Sequence, residues 1–250
     1  MIDFHPVSIG DGAACGCVRC GPAPEAAYAS VAEVEACLTA VRPAPGAPSD
    51  PGRSIAGGVA LVGPEPFAHP ELPALVAMCR RAGFARIALE TDGSALAAHG
   101  NAVGVLHAGV RHLWVRVLGA DDATHDALGG RPGRGAASRL GVAAYLEAAA
   151  TTGVTVAVTA VVPVCEHTLG ELPAIVAACA QRGFHAVRLE AARSLPSRAA
   201  TVVAAACDTG MVNRVWVSTD GALLLPETHR LHGEPDGGPI TPASGAGGVR

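Results

Sequence analysis

Hydrophobic and polar positions follow two rhythms along this chain. Residues 71–90 (ELPALVAMCRRAGFARIALE) set apolar side chains at helical spacing, stop at Gly83, and run into a short apolar stretch. Residues 171–190 (ELPAIVAACAQRGFHAVRLE) do the same 100 residues later, with ELPA, the Cys, GF and LE all coincident. Each copy predicts an amphipathic helix, a glycine stop and a strand. Gly83 and Gly183 fall where a chain leaving a helix turns left-handed. Pro73 and Pro173 fall in the first helical turn, where the missing N–H costs nothing.

The same grammar predicts strands near residues 7–9, 59–62, 86–90, 112–118, 154–162 and 186–190. Helices fill the intervals, and Ser30-Val31-Ala32-Glu33 and Thr168-Leu169-Gly170-Glu171 read as capping boxes that start two of them. The two repeat copies lie three units apart, so one unit averages roughly 33 residues, a sensible βαβ length. Strand and helix in strict alternation imply a parallel sheet, open or curled into a barrel. Residues 43–57 read as a long Pro/Gly/Ser-rich loop. Residues 214–225 read as a hairpin around Asp220-Gly221 that adds an edge to the sheet. The expected organisation is a barrel over 1–200, a helix and hairpin over 201–225, and a flexible tail over 226–250, with no second domain.

Composition narrows the chemistry. Half of the 250 residues are hydrophobic but only 3% are aromatic, so Val, Leu, Ile and Ala must fill the core, as suits strands covered by Ala-rich helices. The chain has no lysine, which excludes a Schiff-base or phosphate-loop lysine. A net charge of −4 gives no footprint for nucleic acid. No G-x-S-x-G elbow supports a hydrolase. Residues 133–138 (GRGAAS) follow no strand and lack the last glycine of a dinucleotide fingerprint. The start of the chain shows no signal peptide and no run is long enough to span a membrane, so a cytoplasmic protein without membrane contact is expected.

In parallel α/β folds the working loops follow the strand C-termini. After the first strand comes GDGAACGCVRCG, with Cys15, Cys17 and Cys20 within six residues. Gly63, Pro64 and Glu65 follow the second strand, Thr91 and Asp92 end the third, and Arg116 lies on the fourth. Three close thiolates suit a soft metal, an iron–sulfur cluster or zinc. The scattered Cys79 and Cys179 read as small core residues. His125-Asp126 reads as a loop anchor, and His229 to His232 as solvated surface.

Residues 57–93, which run from a strand through Gly63-Pro64-Glu65-Pro66, a helix and a second strand to Thr91-Asp92-Gly93, resemble radical S-adenosylmethionine (SAM) enzymes. Their counterpart there is a strand, Gly-Gly-Glu-Pro, a helix, a strand and Thr-Asn-Gly. Residues 125–133 resemble the His-Asp…Gly…Gly loop of the peptide-modifying members. The resemblance covers roughly residues 5–190 and is closest to the peptide-maturase and molybdopterin-type branch. It implies a partial (β/α)6 barrel and a [4Fe–4S] cluster on Cys15, Cys17 and Cys20. The implied reaction is reductive cleavage of SAM, followed by hydrogen abstraction from a peptide or small-molecule substrate. It also implies an external one-electron donor.

By position, Gly63 and Glu65 would hold the SAM amino group, with Pro64 able to contribute only its carbonyl. Asp92 would lie near ribose or methionine, with Thr91 beside it among the cofactor-binding residues, and Arg116 could pair with the SAM carboxylate. Cys17 and Cys20 keep the family spacing, whereas Cys15 stands two residues closer than the usual first cysteine. That displacement motivates the alternatives: an inactive homologue that binds a peptide, a metabolite or a partner, or a zinc-stabilised binding protein.

Overall fold

The computed structural model describes residues 4–11, 27–41, 57–98, 100–191 and 198–219. In chain order these form β1 (Phe4–Ser8), β2 (Gly10–Asp11), β3 (Ala27–Tyr28), α1 (Val31–Val41), β4 (Gly58–Val62), α2 (Leu72–Arg81), β5 (Ile87–Thr91), α3 (Asn101–Ala108) and β6 (His112–Arg116). There follow α4 (Asp122–Gly129), α5 (Arg134–Thr152), β7 (Ala157–Val164), α6 (Glu166–Leu169), α7 (Leu172–Gln181), β8 (Ala186–Ala191), α8 (Ala199–Asn213) and β9 (Trp216–Thr219). One seven-stranded sheet runs β1-β4-β5-β6-β7-β8-β9, and every neighbouring pair in it is parallel. The fold is a partial (β/α) barrel.

All six strands expected from the sequence are present, within a few residues of their predicted ends. The seventh falls in the first half of residues 214–225 and adds an edge to the sheet, as expected; the second half of that stretch lies outside the described residues. Trp216–Thr219 follows the 15-residue α8 and pairs parallel with β8, from Ala186↔Trp216 to Leu189↔Thr219. A helix long enough to cross over lets the chain re-enter the sheet in parallel. Asp220-Gly221 and residues 226–250 lie outside the described residues, as does the loop at 43–56.

The two faces of the sheet differ. Val59, Leu61, Ile87, Leu89, Leu113, Val115, Val158, Val187 and Leu189 are buried in one core with helix residues such as Leu75, Val76, Cys79, Ile175 and Cys179. Burial pushes both thiols up to about 12, in keeping with packing residues. The alternate positions, His112, Trp114, Arg116, Thr159, Arg188 and Glu190, are only half-buried on the other face.

That other face is concave. Phe4 on β1 meets Trp114 on β6 with ring centroids 5.4 Å apart and His112 at 4.9 Å. Three strand spacings lie between β1 and β6, roughly 14 Å in a flat sheet. Curling closes the gap, and small residues make it possible: a methyl at Gly58 would sit 2.3 Å from the Phe4 ring.

Local signals were read correctly in one capping box and not in the other. Ser30 caps α1, with the Ser30 N–H donating to Glu33 Oε2 at 2.7 Å and the Glu33 N–H to Ser30 Oγ at 3.3 Å. Thr168 caps nothing downstream. It lies inside α6, where its hydroxyl oxygen accepts from the Cys165 N–H at 3.1 Å, and α7 starts at Leu172 without a side-chain cap. Pro173 tolerates that start because it lies in the helix's first turn.

Candidate functional site

The site is built at the C-terminal ends of β4, β5 and β6. After β4 the chain turns sharply at Gly63, whose φ of +118° falls in the range that favours glycine, and a Cβ there would meet the Gly10 carbonyl at 3.1 Å. The turn delivers Glu65 toward the end of β5. Glu65 Oε1 accepts from the Thr91 hydroxyl at 2.7 Å and from the Phe67 N–H at 3.3 Å. Oε2 accepts from the Asp92 N–H at 3.0 Å. Thr91 in turn accepts from the Gly93 N–H at 3.0 Å. Glu65 is therefore a clamp that ties the turn after β4 to the turn after β5. Burial pushes its carboxyl above the usual carboxylate range, against the pull of these hydrogen bonds and of the nearby Arg134 and Arg116 guanidinium groups.

Asp92 ends β5's turn and is 5% exposed. Its Oδ1 accepts from the Ser94 N–H at 2.7 Å, and its Oδ2 forms an ion pair with Arg134. Arg134 opens α5, and local structure fixes its direction. Asp126 accepts from the N–H groups of Gly133 and Gly135 on either side of it, which holds the Asp126 carboxyl below its ordinary value. A Cβ at Gly135 would meet the Asp122 backbone at 2.8 Å. The His-Asp loop thus anchors, as its sequence suggested, and aims Arg134, whose side chain is 11% exposed, at the site. His125 is itself buried, with Nδ1 accepting from the Leu118 N–H at 3.4 Å.

Arg116 forms an ion pair with Glu90, and both side chains stay under a fifth exposed. Glu65, Thr91 and Asp92 are thus in direct contact, with Arg134 bonded to Asp92. Arg116 is close enough to act on the Glu65 charge, and Gly63 and Pro64 form the turn itself. Sequence reasoning missed Arg134 and Glu90. Arg134 sits in the GRGAAS stretch set aside as a false fingerprint, and its spacing to Asp92 carried no signal. Glu90 was the last residue of a predicted strand, and its pairing depends on the side-by-side placement of β5 and β6.

Cys15, Cys17 and Cys20 lie outside the described residues. The segments that flank them are placed, however. The Ile9 N–H donates to the Val62 carbonyl at 3.0 Å and the Ala29 N–H to the Ile9 carbonyl at 2.9 Å. β2 and β3 pair antiparallel, Gly10↔Tyr28 and Asp11↔Ala27. The Tyr28 hydroxyl donates to the Glu65 carbonyl at 3.1 Å, and His69 Nε2 lies 3.1 Å from the Ala29 carbonyl. Both stems of the cysteine loop therefore leave from the Gly63–Glu65 turn. Among the described residues, no three His, Cys, Asp or Glu side chains are grouped to hold a metal, and no helix is long and apolar enough to cross a membrane.

The fold is similar to that of SuiB from Streptococcus suis. The structure of SuiB bound to S-adenosylmethionine aligns with a TM-score of 0.56 at 10% identity, over 86% of this chain and 46% of that one. SuiB bound to the precursor peptide SuiA aligns at 0.55 and 10% identity, over 88% and 49%. The chain spans about half the length of the solved structures it matches. No family model matches the chain, and no curated protein matches it in sequence. At this identity the likeness is one of fold.

Proposed function

We propose that the chain is a radical SAM enzyme whose cofactor end is the mouth formed by Gly63, Pro64, Glu65, Thr91, Asp92, Arg116 and Arg134. The observation that carries this reading is the Glu65 clamp. A single carboxylate joins the turns after β4 and β5, while both stems of the three-cysteine loop leave from the same turn. The fold shared with a SAM-bound protein supports it.

The donor set fits the methionine end of SAM, which carries an ammonium and a carboxylate. Arg116 and Arg134 are guanidinium forks suited to a carboxylate, each held in place by an acid. Pro64 and Gly63 offer carbonyls, and Glu65 and Glu90 offer carboxylates for an ammonium. The contribution of Glu65 is to hold Thr91 and Asp92 in position rather than to spend its charge on a ligand alone. A [4Fe–4S] cluster on Cys15, Cys17 and Cys20 would, when bound, supply the electron for reductive cleavage of SAM. A substrate on the concave face would then lie beside the reacting group, and a peptide is one such substrate. An external donor would recharge the cluster.

Calorimetric titration with SAM tests the cofactor end. Arg134→Ala should weaken binding by about tenfold, the worth of one charge-assisted bond of about 1.4 kcal/mol. Undiminished SAM affinity in both Arg134→Ala and Arg116→Ala would remove this mouth from the account.

A further inference from the structure

The end of the barrel opposite the Glu65 mouth holds a cleft of about 330 Å³, with Arg80, Phe84, Ala85, Ile87 and Arg111 in its walls. Ile87 opens β5 and Thr91 closes it, so cleft and mouth lie roughly 13 Å apart along one strand. Arg80 comes from the last turn of α2, and Arg111 immediately precedes β6. Both guanidinium groups reach the carbonyl end of α3. Arg80 Nη1 donates to the Ala108 carbonyl at 3.3 Å, and Arg111 Nη1 to those of Leu106 at 2.6 Å and Val110 at 3.2 Å. Gly109, with a φ of +98°, makes room for this, because a Cβ there would collide with Arg80 Nη1.

We infer that this cleft binds a phosphoryl group, carried as free phosphate or on a small phosphate monoester. Two cations are held at one helix end, where the helix dipole supplies only about half of one negative charge. No carboxylate lines the cleft, and among the described residues neither guanidinium forms an ion pair. Binding the end of α3 uses Nη1 of each arginine, while Nε and Nη2 meet no acceptor among the described residues. Most of each five-donor fork is therefore left over. A phosphoryl group brings close to two negative charges and three acceptor oxygens, enough to join two forks, whereas the two oxygens of a carboxylate are matched by one. Arg111 is half-buried and bonded twice, so its fork is ordered before any ligand arrives. The cleft is larger than a phosphate, and the buried Phe84 and Ile87 back it, which leaves space for the rest of an ester.

The test titrates the full chain by calorimetry with inorganic phosphate, phenyl phosphate and acetate at matched ionic strength. Both phosphates should saturate one site per chain, and acetate should bind roughly tenfold more weakly or worse. Tighter binding of phenyl phosphate identifies a monoester as the ligand, and equal affinity identifies free phosphate. Arg80 is exposed, so Arg80→Gln should keep the fold and weaken phosphate binding by about tenfold, the loss expected of one charge-assisted pair. Ala85→Glu sets a carboxylate in the cleft wall without removing any bond to α3, and should abolish binding with no loss of thermal stability. SAM affinity should be the same in both variants as in wild type, because the cleft is remote from the mouth. A lower melting temperature in Arg80→Gln with undiminished phosphate affinity would show that the arginines only cap α3, and would overturn the inference. So would the lack of saturable phosphate binding, or acetate binding as tightly as phosphate.

Discussion

Replacing Glu65 by Gln removes one charge and turns one acceptor into a donor without changing shape. The amide oxygen can still accept from the Thr91 hydroxyl and the Phe67 N–H, but the amide nitrogen then faces the Asp92 N–H, which in the native protein donates to Oε2 at 3.0 Å. Two donors face each other in a part-buried site, and the Asp92 N–H loses its partner. Such a loss costs about 1–3 kcal/mol. Glu65→Ala removes all three accepted bonds and should cost more, about 3–5 kcal/mol, even with water entering the gap.

Urea unfolding reads these values directly. With a slope of about 2–3 kcal/mol per molar, Glu65→Gln should lower the midpoint by about 0.5–1 M. Thr91→Val tests the same clamp from the other side. A double-mutant cycle of Glu65→Gln with Thr91→Val should show coupling of about 0.5–3 kcal/mol. A Glu65→Gln midpoint equal to wild type, or strictly additive effects, would refute the clamp and leave Glu65 as an ordinary turn carboxylate.

Gly141→Ala should loosen the site from behind, because a methyl on α5 would lie 2.0 Å from the Gly93 carbonyl and 3.0 Å from Leu96 Cβ. An overpacking cost of about 2–3 kcal/mol should lower Tm by roughly 5–10 °C. A melt unchanged from wild type would show that the turn after β5 is not pinned by α5. His112 should make stability depend on pH. Burial lowers its pKa to about 4, with Arg86 adding to the effect. Its contribution is therefore complete above the unfolded value near 6.5 and is lost as pH falls toward 4. Discounted for the ring's partial exposure, the loss is about 1–2 kcal/mol. Unfolding of wild type and His112→Phe at pH 7 and pH 4.5 should show that much less pH loss in the variant, and equal losses would contradict it.

What the sequence made legible was what short-range pattern controls. The 100-residue repeat placed α2 with β5 and α7 with β8, because periodicity, first-turn prolines and glycine stops are local signals. The loops after successive strands could be assigned to one mouth because parallel topology forces it. Pairings made across strands were not legible. Arg116 with Glu90 and Arg134 with Asp92 are 26 and 42 residues apart, and only register and the Asp126-held turn bring them together. The parallel pairing of the seventh strand with β8 was not legible either, because it depends on α8 spanning the sheet edge. Thr168 and Glu171 matched a capping box by spacing alone, but the α6 turn that starts at Cys165 claimed the threonine.

The measurement that bears most directly on the central claim is iron, sulfide and SAM turnover after anaerobic reconstitution. Wild type should take up about four irons and four sulfides per chain, as one [4Fe–4S] cluster requires, and should convert SAM to 5′-deoxyadenosine and methionine under a strong reductant. Cys15→Ala should abolish both, and Cys79→Ala, buried in the helix-facing core, should abolish neither. Wild type that never takes up iron, or Cys15→Ala that behaves as wild type, would contradict the enzyme reading and leave a barrel that binds without radical chemistry.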